Sequence, residues 1–395
     1  MAKYQQYEEY KDSGAERLGE IPSSWQIVRL KNVLKIRNGR DYKDVEVESG
    51  GYPVYGSGGI FKRSSSYLYD GKSILFGRKG TVDKPLLVSG RFWTVDTMFY
   101  SEVFDNALLE YIYYQALIFP FDLLTTSTAL PSMTQEDLLE LKFVLPTMKQ
   151  QTQIANFLDY ETAQIDTLIE KQQTLISLLK EKRQAVISHA VTKGLNPDTP
   201  MKDSGVEWLG EVPEHWEVGR LKNVLRIRNG RDYKEVEVES GGYPVYGSGG
   251  IFKRSSDYLF DGESVLFGRK GTVDKPLLVS GKFWTVDTMF YSEASSNAKP
   301  NYIYHQALLF PFDQLSTNTA LPSMTQENLL ELGFVIPPFD EQEQICQYLS
   351  DKLKVFSNLV SKAEKAIQLM QERRTALISA AVTGKIDVRG WRVPD

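Results

Sequence analysis

The chain has 395 residues, of which 42% are hydrophobic and 25% charged, enough to bury sizeable cores in more than one domain and to exclude a disordered polypeptide. The formal net charge of −5 argues at first against an anionic ligand, and the single cysteine, Cys346, excludes a disulfide framework. No apolar run is long enough for a bilayer, and the N-terminal MAKYQQYEEYKDSG has no signal-peptide core, so a soluble cytoplasmic protein with no membrane role is expected.

The chain repeats itself. Residues 11–192 recur as 202–383 at a constant offset of 191. Between Arg29–Glu102 and Arg220–Glu293 only seven of 74 positions differ. Those are Lys35/Arg226, Asp44/Glu235, Ser66/Asp257, Tyr69/Phe260, Lys72/Glu263, Ile74/Val265 and Arg91/Lys282.

In chain order, each copy opens with short apolar or alternating segments between glycine-rich turns. In the first copy Asn32–Ile36, Ser73–Phe76, Leu86–Val88 and Met98–Tyr100 predict strands. Asn38-Gly39, Gly50-Gly51, Gly56 to Gly59, Gly77, Gly80 and Ser89-Gly90 predict the turns. Helical stretches follow near Asn106–Ile118 and Thr134–Leu141, the second opening on Thr134 with Asp137 three residues on, a relative of the capping box.

Each copy ends in a heptad pattern. Seam positions run through Ile154, Leu158, Glu161, Ile165, Leu168, Gln172, Leu175, Leu179, Lys182 and Val186. The second set is Ile345, Leu349, Lys352, Phe356, Leu359, Ala363, Ala366, Met370, Arg373 and Leu377. A seven-residue repeat over four to five heptads predicts a coiled coil, with Pro146 and Pro337-Pro338 marking the helix starts. The simplest partner for each helix is the other, packed antiparallel. A helix of about 40 residues spans about 60 Å and acts as a ruler.

The total charge hides an asymmetry. Arg29–Arg91 carries 13 Lys/Arg against 6 Asp/Glu, and Val103–Glu170 carries 2 against 10. In the second copy Arg220–Lys282 carries 12 against 8. Local fields, not totals, steer ligands. The acidic segment is therefore expected to face away from any polyanion.

No GxxxxGK[ST] loop or GxGxxG strand-to-helix junction is present, so no nucleotide or other cofactor is expected. The three histidines, His189, His215 and His305, occupy non-equivalent repeat positions and read as surface or packing residues, with no metal and no catalytic residue implied. Cys346 reads as a small core or flank residue of the second helix.

Both copies share basic and aromatic residues on loops, where recognition residues tend to sit. The candidate DNA-contacting set is Arg37, Arg40, Tyr42, Lys43, Tyr55, Ser57, Lys62, Arg63, Arg78, Lys79, Thr81 and Lys84. Its counterparts are Arg228, Arg231, Tyr233, Lys234, Tyr246, Ser248, Lys253, Arg254, Arg269, Lys270, Thr272 and Lys275. Arg and Lys suit phosphates and guanine edges, and Ser and Thr suit either; the pattern does not separate phosphate from base contacts. The Gly77–Lys84 loop is the strongest candidate.

Leu18-Gly19-Glu20-Ile21-Pro22 with Trp25, repeated as Leu209-Gly210-Glu211-Val212-Pro213 with Trp216, is a recurring signature. So are Tyr52-Pro53-Val54-Tyr55-Gly56-Ser57, Phe334 to Pro338 leading into Glu341-Gln342 and Ile345, and Arg374 to Ile378 with Ala381 to Gly384. With these in order, nearly the whole chain resembles the specificity subunit of type I restriction-modification systems. Gln150-Gln151 stands where the second copy has Glu341-Gln342, a small departure.

The resemblance implies a mixed α+β chain of two globular α/β target recognition domains, separated by two long antiparallel coiled-coil helices and related by an internal pseudo-twofold. The corresponding boundaries are 1–146 and 193–337 for the recognition domains and 147–192 and 338–395 for the helical spacers. It also implies a non-catalytic subunit on double-stranded DNA, with two methyltransferase subunits along the helices and motor-nuclease subunits joining for cleavage. S-adenosylmethionine and ATP would belong to those partners. Near-identical readers imply an interrupted palindrome, its half-site centres at most about 18 base pairs apart on a ~60 Å ruler. Two other classes fit the duplication: a coiled-coil adaptor presenting two identical modules to a protein or glycan, and a stand-alone DNA-binding regulator.

Overall fold

The computed structural model describes residues 4–126, 129–317 and 319–394. The chain divides into two compact units, Met1–Gln173 with Lys365–Asp395, and Thr174–Glu364. Both long helices are therefore shared between units.

Each unit holds two principal sheets. In the first unit a four-stranded antiparallel sheet runs Leu86–Val88, Ser73–Gly77, Met98–Val103, Leu34–Asn38. A five-stranded sheet runs Glu46–Val47, Gly59–Ser64, Tyr52–Gly56, Arg91–Thr94, Tyr69–Asp70, with one parallel pair, Tyr52–Gly56 beside Arg91–Thr94. The second unit repeats this order.

Strand Ser73–Gly77 is buried along its whole length, which explains its unbroken apolar run. Because side chains alternate across a strand, Ile74 and Phe76 enter the large core while Leu75 enters a smaller one with Val54, Phe92, Trp93 and Met98. Its polar member is satisfied: Ser73 Oγ donates to the Ser101 carbonyl at 2.8 Å, and Ser101 Oγ accepts from the Ile74 amide at 2.9 Å.

The expected strand at Asn32–Ile36 begins later, at Leu34, because Leu30–Asn32 forms a 3₁₀ turn in which Asn32 Oδ1 accepts from the Arg29 amide. The expected helix near 106–118 is shorter, Leu109–Ala116. Thr134 caps Gln135–Glu140, its hydroxyl accepting from the Asp137 amide at 3.1 Å.

The long helices are Met148–Lys193 and Phe339–Val382, each beginning just past the prolines. Buried glutamines tie their first turns to the domains: Gln151 Oε1 accepts from the Leu108 amide, and Gln342 Oε1 from that of Lys299.

Their far ends cross over. Ile154, Phe157, Leu158 and Ile165 join the first unit's core, but Ile187, Ala190 and Val191 of the same helix join the second. Reciprocally, Ile345 and Leu349 lie in the second core, while Leu377, Ile378, Ala381 and Val382 lie in the first. Within the first unit the helices run antiparallel, with Asp166 bidentate to Arg374 at 2.9 and 3.2 Å and Gln153 donating to the Arg389 carbonyl. Small residues let each helix end dock. Gly384, at φ 77°, places its Cα where a Cβ would sit 2.4 Å from Pro22 Cδ and 3.2 Å from the Trp25 ring. Gly194 meets Trp216 in the same way. The repeated proline–tryptophan signature is thus the socket for the other copy's helix.

The heptad seam is buried where it meets a domain and also at Leu179, Phe356 and Ala363, which belong to neither core. Leu168, Leu175 and Leu359 are exposed and stand outside both cores. Cys346 is buried in the second core, where desolvation pushes its thiol up to about 12.

Candidate nucleic-acid interface

Strand register brings the loops of the first unit together. Asn38 pairs with Phe99 and Gly77 with Met98, so the chain leaves the four-stranded sheet at one end three times. The Gly39 amide donates to the Met98 carbonyl, the Arg40 amide to that of Thr94, and the Arg78 amide to that of Thr97. The Val95 amide donates to the Tyr55 carbonyl and links the Tyr52–Ser64 hairpin to the cluster. Two close approaches admit only glycine. A Cβ on Gly39 would lie 2.0 Å from the Val95 carbonyl oxygen, and one on Gly77 would lie 2.1 Å from that of Thr81.

The candidate residues fall into groups by what holds them. Arg37 is bidentate to Glu102 at 2.9 and 3.3 Å, and that carboxylate holds the guanidinium above its ordinary value. Lys62 is likewise paired with Glu46 and raised by it. Arg228 with Glu293 and Lys253 with Glu237 repeat both pairs. By contrast Arg40, Lys43, Arg63, Arg78, Lys79 and Lys84 carry no ion pair among the described residues. Their counterparts Arg231, Lys234, Arg254, Arg269, Lys270 and Lys275 are equally free of carboxylates.

Arg78 is the best-positioned of these. Its guanidinium lies 5.9 Å over the Phe99 ring and donates to the Asp96 carbonyl at 3.3 Å, which presents it half-buried at the cluster centre. Arg269 donates to the Asp287 carbonyl at 3.1 Å. Lys79, Thr81 and Lys84 project from the same exposed loop, as do Lys270, Thr272 and Lys275. The Arg40 carbonyl accepts from Trp93 Nε1 at 2.9 Å, and Arg231 from Trp284 likewise, fixing the backbone beside each arginine. Tyr55 and Tyr246 are half-buried against Phe92 and Phe283. Ser57 and Ser248 sit at the hairpin tips. Tyr42 and Tyr233 lie edge-on to Phe61 and Phe252 at 5.3 and 5.4 Å.

The acidic segment is not wholly remote from this cluster, contrary to expectation. The Gly80 amide donates to the Pro131 carbonyl and the Met133 amide to that of Arg78. Gln135 Nε2 donates to Asn38 Oδ1 at 2.9 Å, and Gln326 to Asn229 at 3.0 Å. Sequence reasoning passed over Gln135 because 97 residues separate it from Asn38.

Nothing in the cluster resembles a reaction centre. Among the described residues no group of three His, Cys, Asp or Glu could hold a metal, and no helix is long and apolar enough to cross a membrane. His215 is hydrogen-bonded to Glu341, which also accepts from Trp216 Nε1. His305 is buried. The two units, each β-rich and carrying a cationic loop cluster, define a protein with two matched recognition modules.

The chain belongs to the family described as the type I restriction modification DNA specificity domain, whose model matches residues 22–177 and 213–369. It is 22% identical to the MjaVIII specificity subunit of Methanocaldococcus jannaschii, covering 93% of this chain and 94% of that one. It is 20% identical to the EcoDI specificity subunit of Escherichia coli, covering 95% and 91%. In fold it is similar to a chain solved in work on complex assembly and conformational transition of the type I system (TM-score 0.66, 15% identity, 92% and 98% covered). It is also similar to the HsdS subunit from Thermoanaerobacter tengcongensis (TM-score 0.51, 14% identity, 93% and 98% covered). The chain is thus a specificity subunit, the non-catalytic DNA-recognition component of a type I restriction-modification system.

Proposed function

We propose that each loop cluster reads one half of a split DNA site, and that the two halves carry the same sequence in inverted orientation. The observation behind this is the match between clusters: Arg78 and Arg269 meet their carbonyls at 3.3 and 3.1 Å, and Gln135 and Gln326 meet their asparagines at 2.9 and 3.0 Å. Readers built alike select like base edges, and two-fold symmetry in a reader is mirrored by palindromy in its target. The free cations supply the phosphate-directed part of binding, and Asn38 and Gln135 supply amides suited to adenine. Recognition domains at 1–146 and 193–337, with spacers between, are the working division.

In this reading the subunit works in the cytoplasm and sets two adenine methyltransferase subunits and the motor-nuclease subunits on the site. The 46-residue first helix, about 69 Å long at 1.5 Å per residue, bounds how far apart the half-sites lie. Mapping methylated adenines across the host genome tests the proposal. An interrupted palindrome that disappears when this gene is deleted is expected. Two unrelated half-sites would overturn the symmetric reading, and no dependence on the gene would overturn the assignment.

A further inference from the structure

Asn38 and Gln135, 97 residues apart, meet in the loop cluster of the first unit, where Gln135 Nε2 donates to Asn38 Oδ1 at 2.9 Å. Gln326 repeats the bond to Asn229 at 3.0 Å. Both side chains stand on ordered backbone. Asn38 closes the strand Leu34–Asn38 opposite Phe99, and Gln135 opens the helix Gln135–Glu140 that Thr134 caps. Amides held in this way lose little freedom on meeting a ligand.

One shared hydrogen bond leaves the couple half used. Each amide carries an acceptor oxygen and a donor NH2 group, and neither side chain has a further hydrogen-bond partner among the described residues. Asn38 Nδ2 is left as a donor and Gln135 Oε1 as an acceptor, with Asn38 exposed and Gln135 half-buried. Turning both amides over exchanges the two roles and leaves the same pattern. The second unit presents it again, with Asn229 exposed and Gln326 half-buried.

That pattern selects one base edge. In the major groove adenine presents N7 as an acceptor beside the N6 amino donor, whereas guanine presents two acceptors, and cytosine and thymine one polar group each. Guanine would set O6 against Gln135 Oε1, acceptor against acceptor. The groove follows from the supporting elements: a strand end beside a helix about 10–12 Å across suits a major groove about 12 Å wide and not a minor groove of about 6 Å. Arg78, whose guanidinium lies over the Phe99 ring, offers donors only and cannot replace the couple at an adenine.

We infer that Asn38 with Gln135, and Asn229 with Gln326, each read the N7 and N6 edge of a single adenine in their half-site, the two amides acting as one unit on one base. The inference rests on the DNA-reading function proposed above.

The test uses the full chain with its methyltransferase subunits and the cognate duplex found by methylation mapping. Each adenine is replaced singly by 7-deazaadenine, which removes the N7 acceptor, and by 2-aminopurine, which moves the amino donor to the minor groove. One adenine per half-site is expected to lose about threefold to tenfold in affinity with each analogue, the worth of one hydrogen bond. In Asn38→Ala/Asn229→Ala both penalties at that adenine should shrink toward unity, and in Gln135→Leu/Gln326→Leu at least one of them should, while penalties at other positions persist. No adenine sensitive to both analogues in the wild type overturns the inference, as do penalties unchanged in the asparagine variant. Both penalties kept in the glutamine variant would make Asn38 the sole reader and overturn the shared unit. Failure of the wild-type complex to bind the unmodified duplex would instead strike the DNA-reading function itself.

Discussion

Gln115 Nε2 donates to the Val382 carbonyl at 2.7 Å, joining residues 267 positions apart. Tyr111 also donates to Val382, at 3.3 Å, and in the second unit Tyr302 donates to Val191 at 3.1 Å. Each domain helix thus holds the last turn of a helix that begins in the other copy.

Ending the chain at Ala376 should therefore unfold the first unit and spare the second. The deletion removes Leu377, Ile378, Val382, Ile386 and Val388 from the first core. At about 1.5–3 kcal/mol per large side chain, their loss rivals a typical net stability of about 5–15 kcal/mol. Hydrogen exchange should show strands 34–38 and 98–103 unprotected and strands 225–229 and 289–294 still protected. Equal protection in both sheets would contradict the crossover.

Arg78→Ala and Arg269→Ala should each weaken binding to one half-site by a similar amount, about 1–3 kcal/mol, and relax specificity there. Anisotropy titrations on cognate and random duplexes decide the role. Equal loss on both would make Arg78 a phosphate contact, and no loss would remove it from the interface.

Gly39→Ala and Gly77→Ala should break the loop cluster while leaving the distant core folded. The new Cβ would meet backbone oxygens at 2.0 and 2.1 Å, which neither side can yield without moving a strand end. A stability loss of about 1–3 kcal/mol in thermal melts, with loss of DNA binding, is expected. Gly58→Ala, which meets only open space, is the control and should change stability by less than about 0.5 kcal/mol.

The second unit should weaken in acid. Burial, assisted by Arg183, pushes the His305 imidazole down to about 4, below the ordinary value near 6.5. The folded state therefore keeps His305 neutral where the unfolded chain is protonated. That contribution is fully present above about pH 6.5 and is lost as pH falls toward 4, by at most on the order of 3 kcal/mol. His305→Phe should flatten this dependence in melts of the second unit between pH 7 and 4.5. An unchanged slope would assign the acid sensitivity to other groups.

What could be read from sequence was local or periodic. Thr134 announced its cap, the prolines announced the long helices, and the glycines of the Asn38–Lys43 and Gly77–Lys84 loops announced turns. What escaped depended on partners far along the chain. Arg37 reads as a free cation until Glu102, 65 residues on, is seen beside it. A heptad seam says that a helix has a partner, and not that its last turn belongs in another domain's core. For the same reason the seam could not show that Leu168, Leu175 and Leu359 stay exposed.

The crossover also sets an order of completion. The second unit is one continuous stretch, Thr174–Glu364, but the first needs residues up to Val388 to close its core. At about 5–20 residues per second, the N-terminal β domain leaves the ribosome and waits roughly 10–50 s for its final helix turn. During synthesis, the domain made first is the domain finished last, and throughout that wait the Trp25 socket stands open.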